Sequence, residues 1–150
     1  MSGDLRVDLS RLAPLRRRLE RLSHLRVQEL LDVLGSEVES QTRRRLSEEK
    51  TSPAGEAWDE WSEDYAARRP NKGGLLELSG DLLDSITYEV SSDAVTVGSN
   101  LIYAGTHQDG RENAGGGMDI PARPYLGISD QNGEDLVELT IAFLAREFGA

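Results

Sequence analysis

The chain has no cysteine, few aromatic residues and no long apolar run. Without cysteine it has neither a disulfide framework nor thiolate chemistry, which suits a reducing cytoplasm or a particle assembled there. No apolar segment approaches the ~20 residues that span a bilayer, and the N-terminus lacks the apolar core of a signal peptide. With 150 residues, 37% of them hydrophobic, we expect one soluble domain (1–150) without a membrane partner.

Charge is distributed unevenly along the chain. Residues 1–50 carry 11 of the 17 basic and 9 of the 27 acidic residues, whereas residues 51–150 carry 6 and 18. The balances are therefore +2 and −12. This asymmetry favours charge-complementary contacts between the two halves or between neighbouring copies of the chain. It disfavours a general nucleic-acid binder, which carries a net basic surface.

Leucine periodicity predicts two helices in the first third of the chain. Leucines at spacings of three and four predict that residues 1–22 form an N-terminal helical arm. The helix within this arm is predicted to start near Ala13, with Pro14 in its first turn. Ser23 is placed to cap a second, long helix that runs from about residue 24 to residue 49. Trp58 and Trp61 are spaced as on a short third helix, on which both rings would face the same way.

Between residues 79 and 126 the sequence predicts a short helix and then the elements of a small sheet. Ser79 is placed to cap a short helix, and apolar residues then alternate on either side of Ser92 as in a β-hairpin. Residues 109–119 contain three consecutive glycines and predict a mobile loop. Residues 120–126 are expected to be extended, because each of two prolines disfavours helix in the residue before it.

A final helix is predicted to start at Ser129 or Asp130 and to stop near Gly149. Its apolar residues recur at spacings of four, three and four on one face, at Val137, Ile141, Leu144 and Phe148. We therefore predict an α+β domain. In it, a small, mostly antiparallel sheet from residues 86–126 packs against a long N-terminal helix and a C-terminal helix.

Candidate catalytic groups are few. His107 lies near Asp109 and Arg123 in the sequence, which leaves a small hydrolase centred on His107 as an alternative function. We prefer a structural histidine whose ring bonds to the backbone near the turn, because no nucleophile–base pair is recognisable. The two histidines and the lack of cysteine predict no metal site, and no motif predicts a cofactor.

Two arginine clusters leave a nucleic-acid-binding module as a second alternative. They are Arg16–Arg18 and Arg43–Arg45. Phosphate contacts need only basic charge, but glutamates beside both clusters dilute that charge. We therefore expect a solvated face or a row of salt bridges between subunits, and no specific nucleic-acid partner.

Four short elements resemble, in order and spacing, those of the phage virion morphogenesis (tail completion) proteins. The first comprises Pro53, Gly55 and Trp58, and the second comprises Leu76, Ser79, Gly80, Leu82, Ser85 and Ile86. The third comprises Val97, Gly98, Ser99, Tyr103, Ala104, His107, Gln108 and Gly110. The fourth is the run Ile120-Pro121-Ala122-Arg123-Pro124-Tyr125-Leu126-Gly127.

This resemblance implies a structural, non-enzymatic protein that acts in tail completion or head–tail joining. It implies a ring of identical copies, with six the natural number, that contacts tail tube or head–tail connector proteins. The protein would then reside in the virion, and in the host cytoplasm during assembly. The candidate interaction residues are Trp58, Trp61, His107, Arg123 and Tyr125. For Arg123, the prolines on both sides stiffen the backbone, which favours a bidentate contact with a carboxylate.

Overall fold

The computed structural model of the chain describes residues 13–23, 26–69, 73–77 and 79–149. In chain order the elements are α1 (Ala13–Ser23), α2 (Val27–Arg44), a π-helical turn (Arg45–Glu49), α3 (Glu63–Arg68), α4 (Asp81–Ser85), β1 (Thr87–Val90), β2 (Val95–Gly98), α5 (Ala104–Asp109) and α6 (Asp130–Phe148). The predicted α+β class is confirmed. Among these helices none is both long and apolar enough to cross a membrane.

Helix α2 is the central element. Together with the π-helical turn it extends without a break to Glu49, roughly 34 Å at ~1.5 Å per residue. It ends at Lys50, which takes a left-handed conformation with φ 55°. The predicted long helix is thus confirmed, but its predicted cap is wrong: Ser23 is the last residue of α1, and Arg26 precedes the first turn of α2. The predicted first residue of that helix, His24, lies outside the described residues.

The hairpin of β1 and β2 is antiparallel and packs against α2. Tyr88 pairs with Val97, and Val90 pairs with Val95. The contact with α2 is close at Gly35, where an added Cβ would lie 2.5 Å from Tyr88 Cδ2. Helix α6 packs against α2 as well, so that α2 links the hairpin to the C-terminal helix.

The sheet is smaller than predicted, because residues 120–126 do not join it as a strand. Side chains satisfy the backbone of this extended segment instead. Trp58 Nε1 donates to the carbonyl of Pro124 (2.9 Å), and Arg45 Nη1 donates to that of Tyr125 (2.8 Å). Gln108 Oε1 accepts from the backbone N–H groups of Tyr125 and Leu126, both at 3.0 Å. Proline lacks an N–H group, so a strand here would leave its ladder incomplete.

The predicted short helix before Pro70 is confirmed as α3, but its predicted start at Trp58 and Trp61 is wrong. Helix α3 starts only at Glu63, where Ser62 caps it by accepting from the Tyr65 N–H group (3.3 Å). The carbonyls of Asp59 and Glu60 instead accept from Arg123. Helical spacing was therefore misleading at a segment whose backbone bonds to a distant side chain.

Helix α4 begins one residue later than a Ser79 cap would require. Gly80 occupies the N-terminal capping position with φ 80°, a conformation that suits glycine. The hydroxyl of Ser79 donates instead to the carboxylate of Asp81 (2.6 Å). The prediction of a short helix is confirmed, whereas that of its cap is wrong.

Helix α6 starts as predicted, with Ser129 and Asn132 forming a capping box, and Gly149 ends it in a left-handed conformation. Its buried residues are Asn132 and Phe143, however. Val137 and Ile141, on the apolar face that the spacing predicted, are 58% and 61% exposed. The end of α6 that packs closely on α2 is thus anchored by a polar residue.

The core lies at the junction of the π-helical turn, α4, α5 and the extended segment. Its buried apolar residues are Leu46, Trp58, Leu75, Leu82, Ile86, Ala104 and Tyr125. Residues 109–119 leave this core and return to it. The loop is closed by two backbone hydrogen bonds of 2.8 Å between Arg111 and Ile120. Its mobility stays a prediction.

Candidate functional site

The described part of the chain contains an open cleft of about 750 Å³. Residues from α3, α4, α5 and the stretch 114–121 line it. Its apolar lining includes Trp61, Tyr65, Leu76, Tyr103, Met118 and Ile120. Aromatic and apolar groups in a concave setting are typical of a binding site rather than a solvated surface.

His107 lies in this cleft, on α5. Its ring meets that of Tyr103 edge to face at 5.7 Å between centroids. Its Nδ1 atom is buried and has no hydrogen-bond partner among the described residues, so the predicted bond from the ring to the backbone is not found there. The backbone of His107 does take part: its carbonyl accepts from the Arg123 N–H group (2.8 Å). Burial, and secondarily the nearby Arg123 charge, lower the pKa of the His107 imidazole.

Arg123 joins the extended segment to the opposite wall of the cleft. Its Nε donates to the carbonyl of Asp59 (2.8 Å) and its Nη2 to that of Glu60 (3.1 Å). The predicted bidentate contact therefore exists, but its partners are backbone carbonyls of the same chain rather than carboxylates. These bonds fix the backbone of residues 59–60, whose side chains are exposed.

A second arginine stabilises the wall of the cleft at α3. The guanidinium carbon of Arg69 lies 3.8 Å from the centroid of the Trp61 ring, a close cation–π contact. Its Nη1 donates to the carbonyl of Gly73 (3.0 Å) and its Nη2 to that of Gly74 (3.4 Å). Trp61 in turn meets Tyr65 edge to face at 6.4 Å. Trp61 is thus fixed between two neighbours while one side of it lines the cleft.

The cleft is bordered by four carboxylates: Asp59, Glu60, Asp81 and Asp119. Within the part of the chain that the structure describes, none of them forms an ion pair with lysine or arginine. Both arginines of the cleft direct their guanidinium groups at backbone carbonyls. The cleft therefore combines an aromatic and apolar lining with an excess of negative charge, because four carboxylates face the two guanidinium groups of Arg69 and Arg123.

The cleft brings His107 and carboxylates together, as a hydrolase would require, but it lacks the further geometry. A general base needs a partner that orients its ring. No such bond to Nδ1 is present among the described residues. The same part of the chain holds no group of three or more side chains suited to a metal ion. The arrangement fits recognition of another surface better than bond cleavage.

The five candidate interaction residues divide into two groups. Trp61, His107 and Arg123 line the cleft. Trp58 and Tyr125 are core residues, and the hydroxyl of Tyr125 donates to the carbonyl of Ala104 (3.1 Å). Burial also raises the pKa of Tyr125. An interaction role stays a prediction for all five: Trp61 and His107 are partly exposed in the cleft, whereas Arg123 is buried in its wall.

Sequence reasoning did not identify Arg45 as a buried residue that bonds to the backbone after Arg123. Arg45 is 1% exposed and donates to the carbonyls of Tyr125 and Gly127 and to Oδ1 of Asn132, the last at 2.6 Å. The expectation of a solvated or inter-subunit face for Arg43–Arg45 is therefore wrong for Arg45. A signal was present: Arg45 lies three residues after Thr42, on the buried side of the helix.

The other two arginines of that cluster bond within the chain. Arg43 donates to the carbonyl of Ile86 (2.8 Å) and pairs with Glu39 (3.0 Å). Arg44 pairs with Glu49 (3.2 Å). A continuous basic stripe would need these side chains free on one surface. The described geometry of the 43–45 cluster thus does not favour the nucleic-acid alternative.

Replacing His107 by alanine is expected to lower the free energy of unfolding by about 1 kcal/mol at pH 7, and the melting temperature with it. The lowered pKa means that the folded state keeps the ring neutral, whereas the unfolded chain protonates it below pH 6.5. Stability from this group is fully present above pH 6.5 and is lost as pH falls through the lowered pKa. Denaturant unfolding of both proteins between pH 5 and 8 should show the difference shrinking toward acid. A difference independent of pH would contradict the assignment.

Comparison with known proteins adds to this geometry. A profile of the phage virion morphogenesis family matches residues 7–145. The chain is 34% identical over 108 residues to the G protein of Escherichia phage Mu, which is provisionally named a capsid assembly protein; the match covers 68% of this chain and 69% of that one. It is 39% identical over 68 residues to the Mu-like prophage FluMu G protein 2 of Haemophilus influenzae, covering 45% and 49%. No solved structure matches significantly.

The geometry thus describes an α+β domain with an open cleft that aromatic rings line and carboxylates border. The chain belongs to the phage virion morphogenesis family. The predicted family is confirmed, and with it a role in the assembly of bacteriophage particles.

Proposed function

We propose that this protein is a non-enzymatic building block that completes the phage tail or joins it to the head, as a ring of identical copies. Six copies are the expected number. The observation that carries the proposal is the acidic, aromatic cleft in a chain whose family is one of virion morphogenesis. The Mu relative's name points to assembly of the same kind of particle, although to its capsid.

Charge supports contacts between copies rather than with nucleic acid. The first 50 residues balance at +2 and the remainder at −12, so opposite charges are available on one chain. Contacts between unlike patches close into rings when the rotation allows, and salt weakens them. The expected partners beyond the ring are tail tube or head–tail connector proteins. The protein is then part of the virion and assembles in the host cytoplasm.

A hydrolase centred on His107 is the second candidate, because the cleft contains both His107 and carboxylates. The unpartnered Nδ1 atom disfavours it. If His107 served catalysis, His107→Ala would abolish function while leaving stability unchanged. We expect the reverse, a lowered melting temperature with function retained.

A phage that lacks this gene is expected to accumulate DNA-filled heads and separate tails that do not join. Electron microscopy of lysates distinguishes this from the alternatives, because absent heads would indicate a capsid role and absent tails a role in tail initiation. Supplying the wild-type gene in trans should restore joined, infectious particles. His107→Ala should restore the titre to within about tenfold, in line with a small stability loss.

A further inference from the structure

We propose that the acidic cleft of one subunit receives helix α1 of a neighbouring copy. This inference rests on the proposed ring and names the surface through which its subunits touch. The occupant is a basic amphipathic helix, and the receiving site is the apolar groove bordered by Asp59, Glu60, Asp81 and Asp119.

The charge of α1 complements the cleft. The helix contains four arginines and one glutamate, and both Arg17 and Arg18 are exposed. Leu15 is also 51% exposed, so α1 presents an apolar group beside its basic ones. In the cleft, Met118 is 66% exposed next to the unpaired carboxylates. An amphipathic helix in an apolar groove with opposite charge at its border is a common mode of protein recognition.

In the described structure no residue of α1 lines the cleft of its own chain. Arg21 donates to the carbonyl of Phe148 (3.1 Å), which places α1 at the C-terminal end of α6. The N-terminal end of α6 is held by Arg45, through Asn132, and Arg45 also holds the segment that forms the cleft wall. The 19 residues of α6 separate these two ends by roughly 28 Å at ~1.5 Å per residue.

Donor and receiver are therefore different surfaces of the subunit. A contact between unlike surfaces is heterologous, and repeated around an axis it generates a closed ring or, if the rotation does not close, a filament. The same geometry accounts for the charge split of the chain, because the basic helix and the acidic cleft meet only between copies. It also gives a purpose to Trp61, which Arg69 and Tyr65 hold in place on the cleft wall.

Charge reversal in the full-length protein tests this contact. Arg17→Glu with Arg18→Glu changes the donor, and Asp59→Lys with Glu60→Lys changes the receiver. Each pair is expected to raise the concentration of half-association at low salt about tenfold or more, measured by sedimentation velocity. Combining all four substitutions should restore association to near the wild-type level, because the reversed charges again complement each other. Melting temperatures of the variants check that each remains folded.

The matched control places the same charge change elsewhere. Glu89→Lys with Asp93→Lys alters two exposed carboxylates of the hairpin, outside the cleft. This control should shift association far less than the receiver variant. Equal shifts would mean that only net charge matters, and would overturn the inference. The inference would also be overturned if the wild-type protein associates and the receiver variant associates equally well. The proposed ring would then depend on another contact.

Cross-linking gives a second measurement that does not depend on charge. The chain has no native cysteine, so Leu15→Cys with Met118→Cys supplies the sole pair of thiols. Oxidation of this assembled variant should give a ladder of disulfide-linked oligomers larger than the dimer. The variant Leu15→Cys with Asp93→Cys should give no such ladder. No ladder from protein that associates would overturn the inference alone. A strict monomer at high concentration and low salt, with no ring in purified particles, would overturn the proposed function as well.

Discussion

Replacing Arg45 by alanine is expected to destabilise the protein more than any other single change considered, by about 3–5 kcal/mol. Its guanidinium is buried and donates to two backbone carbonyls and to the side chain of Asn132. Truncation leaves those acceptors unsatisfied in the interior and frees the segment that carries Tyr125. Because the net stability of a domain is ~5–15 kcal/mol, this loss removes a large share of it, and the variant should unfold at a much lower urea concentration.

Arg44→Ala is the matched control. It removes the same side chain one residue earlier, where the guanidinium is exposed and, among the described residues, forms an ion pair with Glu49. A surface ion pair contributes ~0–1 kcal/mol, so its loss should be small. Urea unfolding of both variants measures the difference. Similar losses for Arg44→Ala and Arg45→Ala would contradict the structural role of Arg45, whereas Arg45→Lys should fall between them, since it keeps the charge but not the fork of donors.

The second large effect is expected at Gly35. An alanine there gains up to ~1 kcal/mol in helix propensity, yet the protein should lose about 1–3 kcal/mol in net stability. The added Cβ would lie 2.5 Å from Tyr88 Cδ2 and 2.7 Å from Val95 Cγ2, closer than side chains approach. Helix α2 and the hairpin would have to move apart. Thermal unfolding measures the loss.

Gly133→Ala controls for propensity alone. Gly133 lies in α6, and the nearest atom to its added Cβ would be Ile128 Cγ2 at 3.7 Å, an ordinary contact. This variant should be unchanged or more stable by up to ~1 kcal/mol. The double variant Gly35→Ala with Val95→Ala should lose less stability than the sum of the two single losses, because Val95→Ala removes one of the clashing groups. A stabilising Gly35→Ala would show that the hairpin does not pack on α2 as described.

The sequence alone determined the helices whose signals are local. Pro14 in the first turn of α1, Ser129 before α6 and Gly149 after it each act on neighbouring backbone groups, and all three positions are confirmed. The long helix and the hairpin followed from periodicity of apolar residues, which reflects which face of each element is buried. Family membership was likewise readable from short motifs in a fixed order.

Only the tertiary structure decided the elements that distant side chains hold in place. Trp58 and Trp61 have helical spacing, but the backbone between them is not helical and bonds to Arg123 through two carbonyls. Residues 120–126 were predicted as part of a sheet, but Arg45 and Gln108 satisfy their backbone instead. These bonds join residues that are 17 to 80 positions apart.

The cleft, too, is a feature that only the tertiary structure decided. Its aromatic wall, its acidic border and the unpartnered Nδ1 atom of His107 come from separate stretches of the chain. The sequence showed a surplus of carboxylates after residue 50 but not where they gather. Local propensities fix helix ends because both partners lie within one turn. The site depends on long-range hydrogen bonds from buried arginines, and one sequence does not reveal which arginines are buried.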